Sequence, residues 1–454
     1  MSPKFFSACL ALALAASTSF AAPALAKDRT VILITIDGFP AWLWHDPHLP
    51  VPTLHRLAAE GAAADSMEVV NPSITWICHT TLVTGVGPIK HGVLFNGLLV
   101  RQGPTLQPII EPWHDKSELV RVPTIYDIAH QAGLTTGQVD WVAILNSGTI
   151  DHEFLEVPKP TGATERELVA DGTLTEGDIR NFFHGTSPAW RDMMYNRAAI
   201  HILKTHKPNL MLMHYLNTDA LNHMDGPGSM ASYAGYALVD YQIRDLLASL
   251  DAAGLKDKTT VIITTDHGFK KVKTGIWPNV ALKKAGLIVA QGNAVKSCDA
   301  YVVVEGGLAF AYVTDPAKRE TVLPKLREIC AGLEGVDKVI DGADAHSIDI
   351  PTPAENQGTG DLILLAKPGY AFQAKLDGDA TNGDPKNYYG THGYLASDPE
   401  LDGVFLAWGY GIKPGTKLGK IQNRDVAPTI AQLLGLPLPN VEGRVLTEML
   451  NPAP

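Results

Sequence analysis

A chain of 454 residues with 45% hydrophobic and 19% charged side chains has ordinary globular composition, long enough for a large α/β enzyme with an insertion. Its formal net charge of −11 argues against a duplex-DNA binder, whose footprint is a basic patch. No block of like charges marks an acidic or basic tail.

The N-terminus reads as a targeting signal. Lys4 precedes an apolar run from Phe5 to Ala16, and "APALA" puts Ala24 and Ala26 at an A-x-A cleavage rule. The run is too short to span a bilayer. Residues 1–26 are therefore expected to be a signal peptide cut after Ala26, leaving an exported protein, periplasmic or secreted, with no membrane span. Cys9 lies inside the apolar run rather than after it, against a lipoprotein anchor. Cleavage leaves Cys78, Cys298 and Cys330, an odd number; a Cys298–Cys330 bridge is compatible with the sequence and not required by it.

"RTVILITIDGF" (29–39) is a continuous apolar run ending in Asp-Gly, the pattern of a strand buried on both faces of a parallel sheet. "VPTLHRLAAEGA" follows as a helix stopped by Gly61, and "VPTIYDIAHQAGL" (122–134) repeats that grammar. "PNLMLMHYLNTD" (208–219) reads as a second buried strand and "YALVDYQIRDLLASLDAAGL" (236–255) as a long amphipathic helix. "TTVIITTDHGF" (259–269) and "DGVFLAWG" (402–409) read as further strands, before a last helix, "VAPTIAQLLGL" (426–436). Alternation of strand and helix predicts an α/β fold: a doubly wound, mostly parallel central sheet flanked by helices. Residues 271–390 change texture, with short strands and one helix candidate, "ETVLPKLREICAGL". They are expected to form a small α+β cap inserted into a catalytic domain made of residues 27–270 and 391–454.

Three of these strand readings end in acid: Asp37, Asp219 and the pair Asp266-His267. Ligands of open α/β sheets gather beyond the carboxyl ends of the strands, so the three carboxylates are expected to share one crevice. Carboxylates so close repel unless a cation neutralises them. "DALNH" sets Asp219 and His223 one helical turn apart, and "GTHGY" supplies His392 in a Gly-flanked loop. Three Asp and three His make a mixed N/O set that suits zinc, with manganese or iron as alternatives. Six protein ligands suit two divalent ions rather than one, since a catalytic zinc usually keeps three and an open position.

Taken together, "ITIDGF", "PSITWICHTTLVTG", "PIKHGVLFN", "NTDALNHMDGP", "TTDHGF", "GTHGY" and "RDVAPTIAQLLGL" resemble the alkaline phosphatase superfamily, most closely its nucleotide pyrophosphatase/phosphodiesterase branch. They occur in the family's order from Val31 to Leu436. The resemblance implies an alkaline phosphatase-like fold and makes Thr75 the nucleophile, forming a covalent phosphothreonine. It implies one metal held by Asp37, Asp266 and His267 with Thr75, and another held by Asp219, His223 and His392. Asn96 would donate to a phosphate oxygen, and Trp76 would line the leaving-group pocket. From residue type alone, Thr75 reads sooner as a helix N-cap than as a nucleophile, Trp76 as core, and His79 and His91 as packing or supporting residues. The family commonly has Pro-Asn before the histidine that follows the nucleophile; this chain has Ile77-Cys78 before His79.

The expected substrate is a small phosphate ester. Some monoesterases of the superfamily carry a Lys-x-Arg pair beyond the nucleophile's helix, and the comparable stretch here, "TTGQVDWVAI" (135–144), has no Lys or Arg. That favours a diester, which carries less charge and a second organic group. A sulfatase would need Cys- or Ser-x-Pro-x-Arg, which Cys78-His79-Thr80-Thr81-Leu82 does not provide. A phosphomonoesterase or phosphonate hydrolase using the same site, and a non-catalytic metal-stabilised binding protein, stand as alternatives.

Overall fold

The computed structural model describes residues 25–451, so most of the expected signal segment lies outside the described residues. An eight-stranded sheet organises the chain. Its strands are β1 (Thr30–Ile36), β2 (Ala62–Glu68), β3 (Thr136–Val139), β4 (His152–Phe154), β5 (Leu210–Tyr215), β6 (Thr259–Thr264), β7 (Phe405–Gly409) and β8 (Thr416–Gln422). Their order across the sheet is β8-β2-β7-β6-β1-β5-β3-β4. Only β7 runs against its neighbours; the pairs β1–β5, β1–β6, β3–β5, β3–β4 and β2–β8 are parallel.

The continuous apolar runs have a direct cause. Along β1, Val31 and Leu33 enter one core while Ile32, Ile34 and Ile36 enter the other. Successive side chains of a strand alternate faces, so a strand covered on both sides must be apolar throughout. The first face is covered by α2 (Thr75–Thr84) and α7 (Val426–Leu434). The second is covered by α1 (Pro52–Glu60), α4 (Pro188–Thr205) and α6 (Met230–Ala253). Two shorter helices matter below: α3 (Ala163–Ala170) and α5 (Asn217–Asp225).

A second, antiparallel sheet comes from the later part of the chain, in the order Ala300–Glu305, Leu308–Val313, Leu362–Ala366, Val336–Asp341. Helix Arg319–Ala331 closes one face through Leu326 and Cys330. The other face packs Leu308, Phe310 and Ile363 against Leu94 and Phe95, with the Phe95 and Phe310 rings edge-on at 5.2 Å. That contact fixes the loop carrying Asn96. Cys78, Cys298 and Cys330 are all free thiols and buried.

The apolar run beginning at Pro208 predicts a strand through Asp219, but β5 stops at Tyr215 and Asp219 sits in the first turn of α5. The turn has a local cause: the Asp192 carboxylate of α4 accepts the backbone N–H groups of Leu216 and Asn217 at 3.0 and 3.1 Å. Those donors are thereby drawn off the sheet ladder and capped as a helix start.

Candidate active site

Because β6, β1 and β5 are neighbours, their carboxyl ends bring Asp266, Asp37 and α5 side by side. The ligand atoms of Asp37, Asp266 and His267 lie within 4.8 Å of one another, and so do those of Asp219, His223 and His392. The His267 and His392 rings stack at 3.7 Å, joining the two groups into one centre. All six ligand residues read from sequence therefore meet.

The histidines are set in one tautomer. His267 Nδ1 faces the Gly268 carbonyl at 3.1 Å, His223 Nδ1 that of Gly390 at 2.9 Å, and His392 Nδ1 that of Ser73 at 2.8 Å. A carbonyl only accepts, so each Nδ1 carries a proton and each Nε2 is turned inward, toward the carboxylates. His267 Nε2 then faces Asp37 at 3.4 Å and Asp266 at 3.3 Å, and His223 Nε2 faces Asp219 at 3.4 Å. For His267 the contacts are lone pair against carboxylate, not ion pairs, since burial lowers its pKa to about 3; burial likewise holds His392 well below its ordinary range.

The carboxylates tell the same story. Asp266 Oδ1 accepts the N–H groups of Gly38 and His267 at 3.1 and 2.9 Å. Its Oδ2, with Asp37 Oδ1 and Asp219 Oδ1, is buried and has no hydrogen-bond donor. Burial, then the charges of Asp266 and Asp219, hold the Asp37 carboxyl well above its usual range. Burial pushes Asp219 up to about 6, with His223 pulling it down and Asp266 pushing it up. Unpartnered buried anions are costly, and cations are the partners this donor set lacks. The residues present thus fit divalent metal.

Thr75 opens α2 beside this centre, with its Oγ1 3.4 Å from His267 Nε2. It is not the helix cap: Ile74 holds that position and makes no side-chain cap bond. The Thr75 hydroxyl is thus not spent on capping and faces the centre instead. Asn96, exposed, accepts the Trp76 N–H on Oδ1 at 3.0 Å, which turns its Nδ2 donors away from the helix. Trp76 is not plain core, because it forms a wall of a cavity of about 320 Å³ shared with Trp113, Trp141, Ile144 and Val157. His91 packs, bonding Thr81 Oγ1 at 3.1 Å. His79 supports: its Nδ1 faces the Thr75 carbonyl at 2.8 Å, and its Nε2 faces Thr35 Oγ1 at 2.8 Å. Ile77 and Cys78 are fully buried in the core behind it.

Sequence reasoning missed three supporting residues. His214, within β5, places Nε2 3.3 Å from Asp37 Oδ2; a lone histidine in an otherwise apolar run was its signal. Ser73 Oγ donates to the Tyr394 carbonyl at 2.8 Å and accepts from Gly393 N–H at 3.0 Å, clamping the loop of His392 to the start of α2. Asp192 seats α5, which bears Asp219 and His223, and nothing local in the sequence marks it.

A model of the family described as Type I phosphodiesterase / nucleotide pyrophosphatase matches residues 31–395. The chain belongs to this family. Its members are metal-dependent hydrolases of phosphodiester bonds, and the chain is an enzyme of that class. Mouse ectonucleotide pyrophosphatase/phosphodiesterase family member 7 is 23% identical over 95% of this chain and 89% of its own length. A bis(5'-adenosyl)-triphosphatase of Xenopus laevis is 22% identical over 91% of this chain and 79% of its own. Among solved structures, murine ectonucleotide pyrophosphatase/phosphodiesterase 5 matches with a TM-score of 0.70 at 16% identity, covering 93% of this chain and 100% of that one. The same murine protein is also known as an inactive threonine-to-alanine variant in complex with AMP. These likenesses agree with the mostly parallel, helix-flanked sheet.

Proposed function

We propose that this type I phosphodiesterase is an exported, two-metal enzyme that hydrolyses phosphodiester or phosphoanhydride bonds through a covalent phosphothreonine on Thr75. The observation that carries the reading is the convergence of three inward-facing Nε2 atoms and three unpartnered carboxylate oxygens beside the Thr75 hydroxyl, which touches His267 Nε2. Asp37, Asp266 and His267, with Thr75, would hold one divalent ion and Asp219, His223 and His392 another, zinc by donor type. When bound, such ions lower the pKa of a hydroxyl or water and neutralise charge on phosphoryl and leaving oxygens.

The chain's own part follows from position. Thr75 Oγ1 forms the new P–O bond as the ester oxygen leaves on the opposite side, and water later cleaves phosphothreonine to restore the hydroxyl. Asn96 Nδ2 donates to a non-bridging oxygen, and the N-terminus of α2 favours the same negative charge. The apolar cavity beside Trp76 takes the substrate's organic group. Its wall at Trp141–Leu145 has no Lys or Arg where some monoesterases of the superfamily carry a Lys-x-Arg pair, which supports a diester over a monoester, while Lys159 stands on another wall of the same cavity. AMP in the murine relative supports nucleotide esters as a substrate class. Export rests on the character of residues 1–26, and among the described residues no helix is long and apolar enough to cross a membrane.

The test is hydrolysis of paired aryl phosphate mono- and diesters by zinc-loaded protein, beside Thr75→Ala. Diester preference is expected, with a loss of about 1000-fold or more in the variant. Intact activity in Thr75→Ala would remove the nucleophile assignment, and monoester preference would reverse the substrate reading. Activity indifferent to chelation would refute the metals.

A further inference from the structure

A second kind of cluster lies away from the catalytic centre, at the far edge of the sheet. Helices α3 and α4 end side by side next to β4. Asp171 caps the end of α3 and His206 the end of α4. His201 Nδ1 lies 2.9 Å from Asp171 Oδ2, and its Nε2 lies 2.9 Å from Glu167 Oε2. The same Glu167 oxygen lies 2.7 Å from His206 Nε2. The ring of His206 stacks on that of His152 in β4 at 3.7 Å and 13°.

We infer that Glu167, His201 and His206 form a further divalent-cation site, with zinc as the ion their chemistry selects. The ligand atoms lie within 4.8 Å of one another. Asp171 faces the outer nitrogen of His201, so its Nε2 is turned toward Glu167 Oε2, and that same oxygen faces Nε2 of the second ring. Two imidazole nitrogens and one carboxylate oxygen therefore converge on a single point between the two helix ends, an arrangement that suits a cation. A carboxylate holding the outer nitrogen of a histidine while the inner nitrogen points at two more ligands is the usual support of a zinc histidine.

Geometry and field agree. Zinc ligands at 2.0–2.1 Å in tetrahedral directions lie about 3.3 Å apart, so the present contacts need to open by roughly half an ångström, within reach of a Glu side chain. Both helices direct their C-terminal carbonyls here, and that end of the dipole favours a cation. Side-chain exposures of 12% for His201, 18% for His206 and 38% for Glu167 leave room for an ion to enter and keep water as its fourth ligand. Two imidazoles and one carboxylate suit zinc better than calcium or magnesium, which want oxygen. The ion would tie the ends of α3 and α4 together beside β4, which runs directly into Leu155–Lys159, a wall of the cavity next to Trp76. Its role is therefore structural.

Zinc content after exposure to zinc sulfate and dialysis tests this, read by elemental mass spectrometry on the whole protein. Glu167→Gln and His206→Gln are each expected to lose one equivalent relative to wild type while hydrolysing the diester at an unchanged rate. Circular dichroism confirms that at least one variant is folded. Anomalous diffraction at the zinc edge is expected to place a peak among Glu167, His201 and His206. Unchanged zinc content in both variants overturns the site, as does an anomalous map with peaks at Asp37 and Asp219 and none here. Those results would make the cluster a protonated-histidine ion pair.

Discussion

Asp192 gives the sharpest prediction, because two effects act on it in opposite directions. It is 1% exposed, and its carboxylate accepts the N–H groups of Leu216 and Asn217 at 3.0 and 3.1 Å. Burial nonetheless outweighs those bonds and pushes its pKa from an ordinary 3.8 up to about 7. A carboxyl raised in the folded state binds its proton more tightly there than in the unfolded chain. Its stabilising contribution is thus full below about pH 4 and is lost as pH rises through 7. At 1.36 kcal/mol per pH unit, the shift is worth on the order of 4 kcal/mol. Urea denaturation of wild type and Asp192→Asn at pH 4, 5.5, 7 and 8 should therefore diverge. Stability of wild type relative to the variant falls across that window by up to this amount, whatever their absolute offset. Parallel curves would show that Asp192 is not the titrating group. Asp192→Ala makes the complementary test. It strands two backbone donors at the start of α5, at about 1–3 kcal/mol each, and weakens zinc binding by displacing Asp219 and His223.

Ser73→Ala should cost about 1–3 kcal/mol and weaken zinc binding roughly 10–100-fold, because the loop of His392 loses its clamp; unchanged zinc competition would refute this. Trp76→Ala should raise KM for aryl diesters by roughly 10-fold, equivalent to about 1.4 kcal/mol of lost contact, and affect dialkyl esters less. Equal effects on both would remove Trp76 from the substrate pocket. Thiol titration should find Cys78, Cys298 and Cys330 reactive only after denaturation, since all are buried and unpaired; a missing pair of thiols in denaturant would mean a disulfide. N-terminal sequencing of exported protein should begin at Lys27, and a start at Met1 would end the signal-peptide reading.

The legible part of the fold was whatever is buried on two sides. β1, β5 and β6 announce themselves as apolar runs because both sheet faces are covered. β2, "AAADSME", and β8, "TKLGKIQ", do not. They lie at one end of the sheet, half-exposed, where alternating polar residues are tolerated. β3, only four residues long, contains Gly and Gln and is buried without looking apolar. The ligands were legible because each carries its chemistry in its own side chain next to a strand end. Their supports were not. Asp192 acts through two backbone amides 24 and 25 residues away, a relation that only packing reveals. The Glu167 cluster escaped for a similar reason: Glu167 and His201 are 34 residues apart and meet only because two helices end together.

The tautomer of every centre histidine is set by a main-chain carbonyl, those of Ser73, Gly268 and Gly390. No side-chain replacement can delete such a partner; only a change in the path of the chain can. The vulnerable positions are therefore ones that carry no chemistry. A Cβ at Gly268 would come within 2.4 Å of the Glu400 carbonyl oxygen, and one at Gly390 within 2.3 Å of that of Asn222. Either alanine would push the backbone aside and turn a ring whose own residue is untouched. The glycines of "TDHGF" and "YGTHGY" thus hold the ring orientations as firmly as the histidines supply the lone pairs.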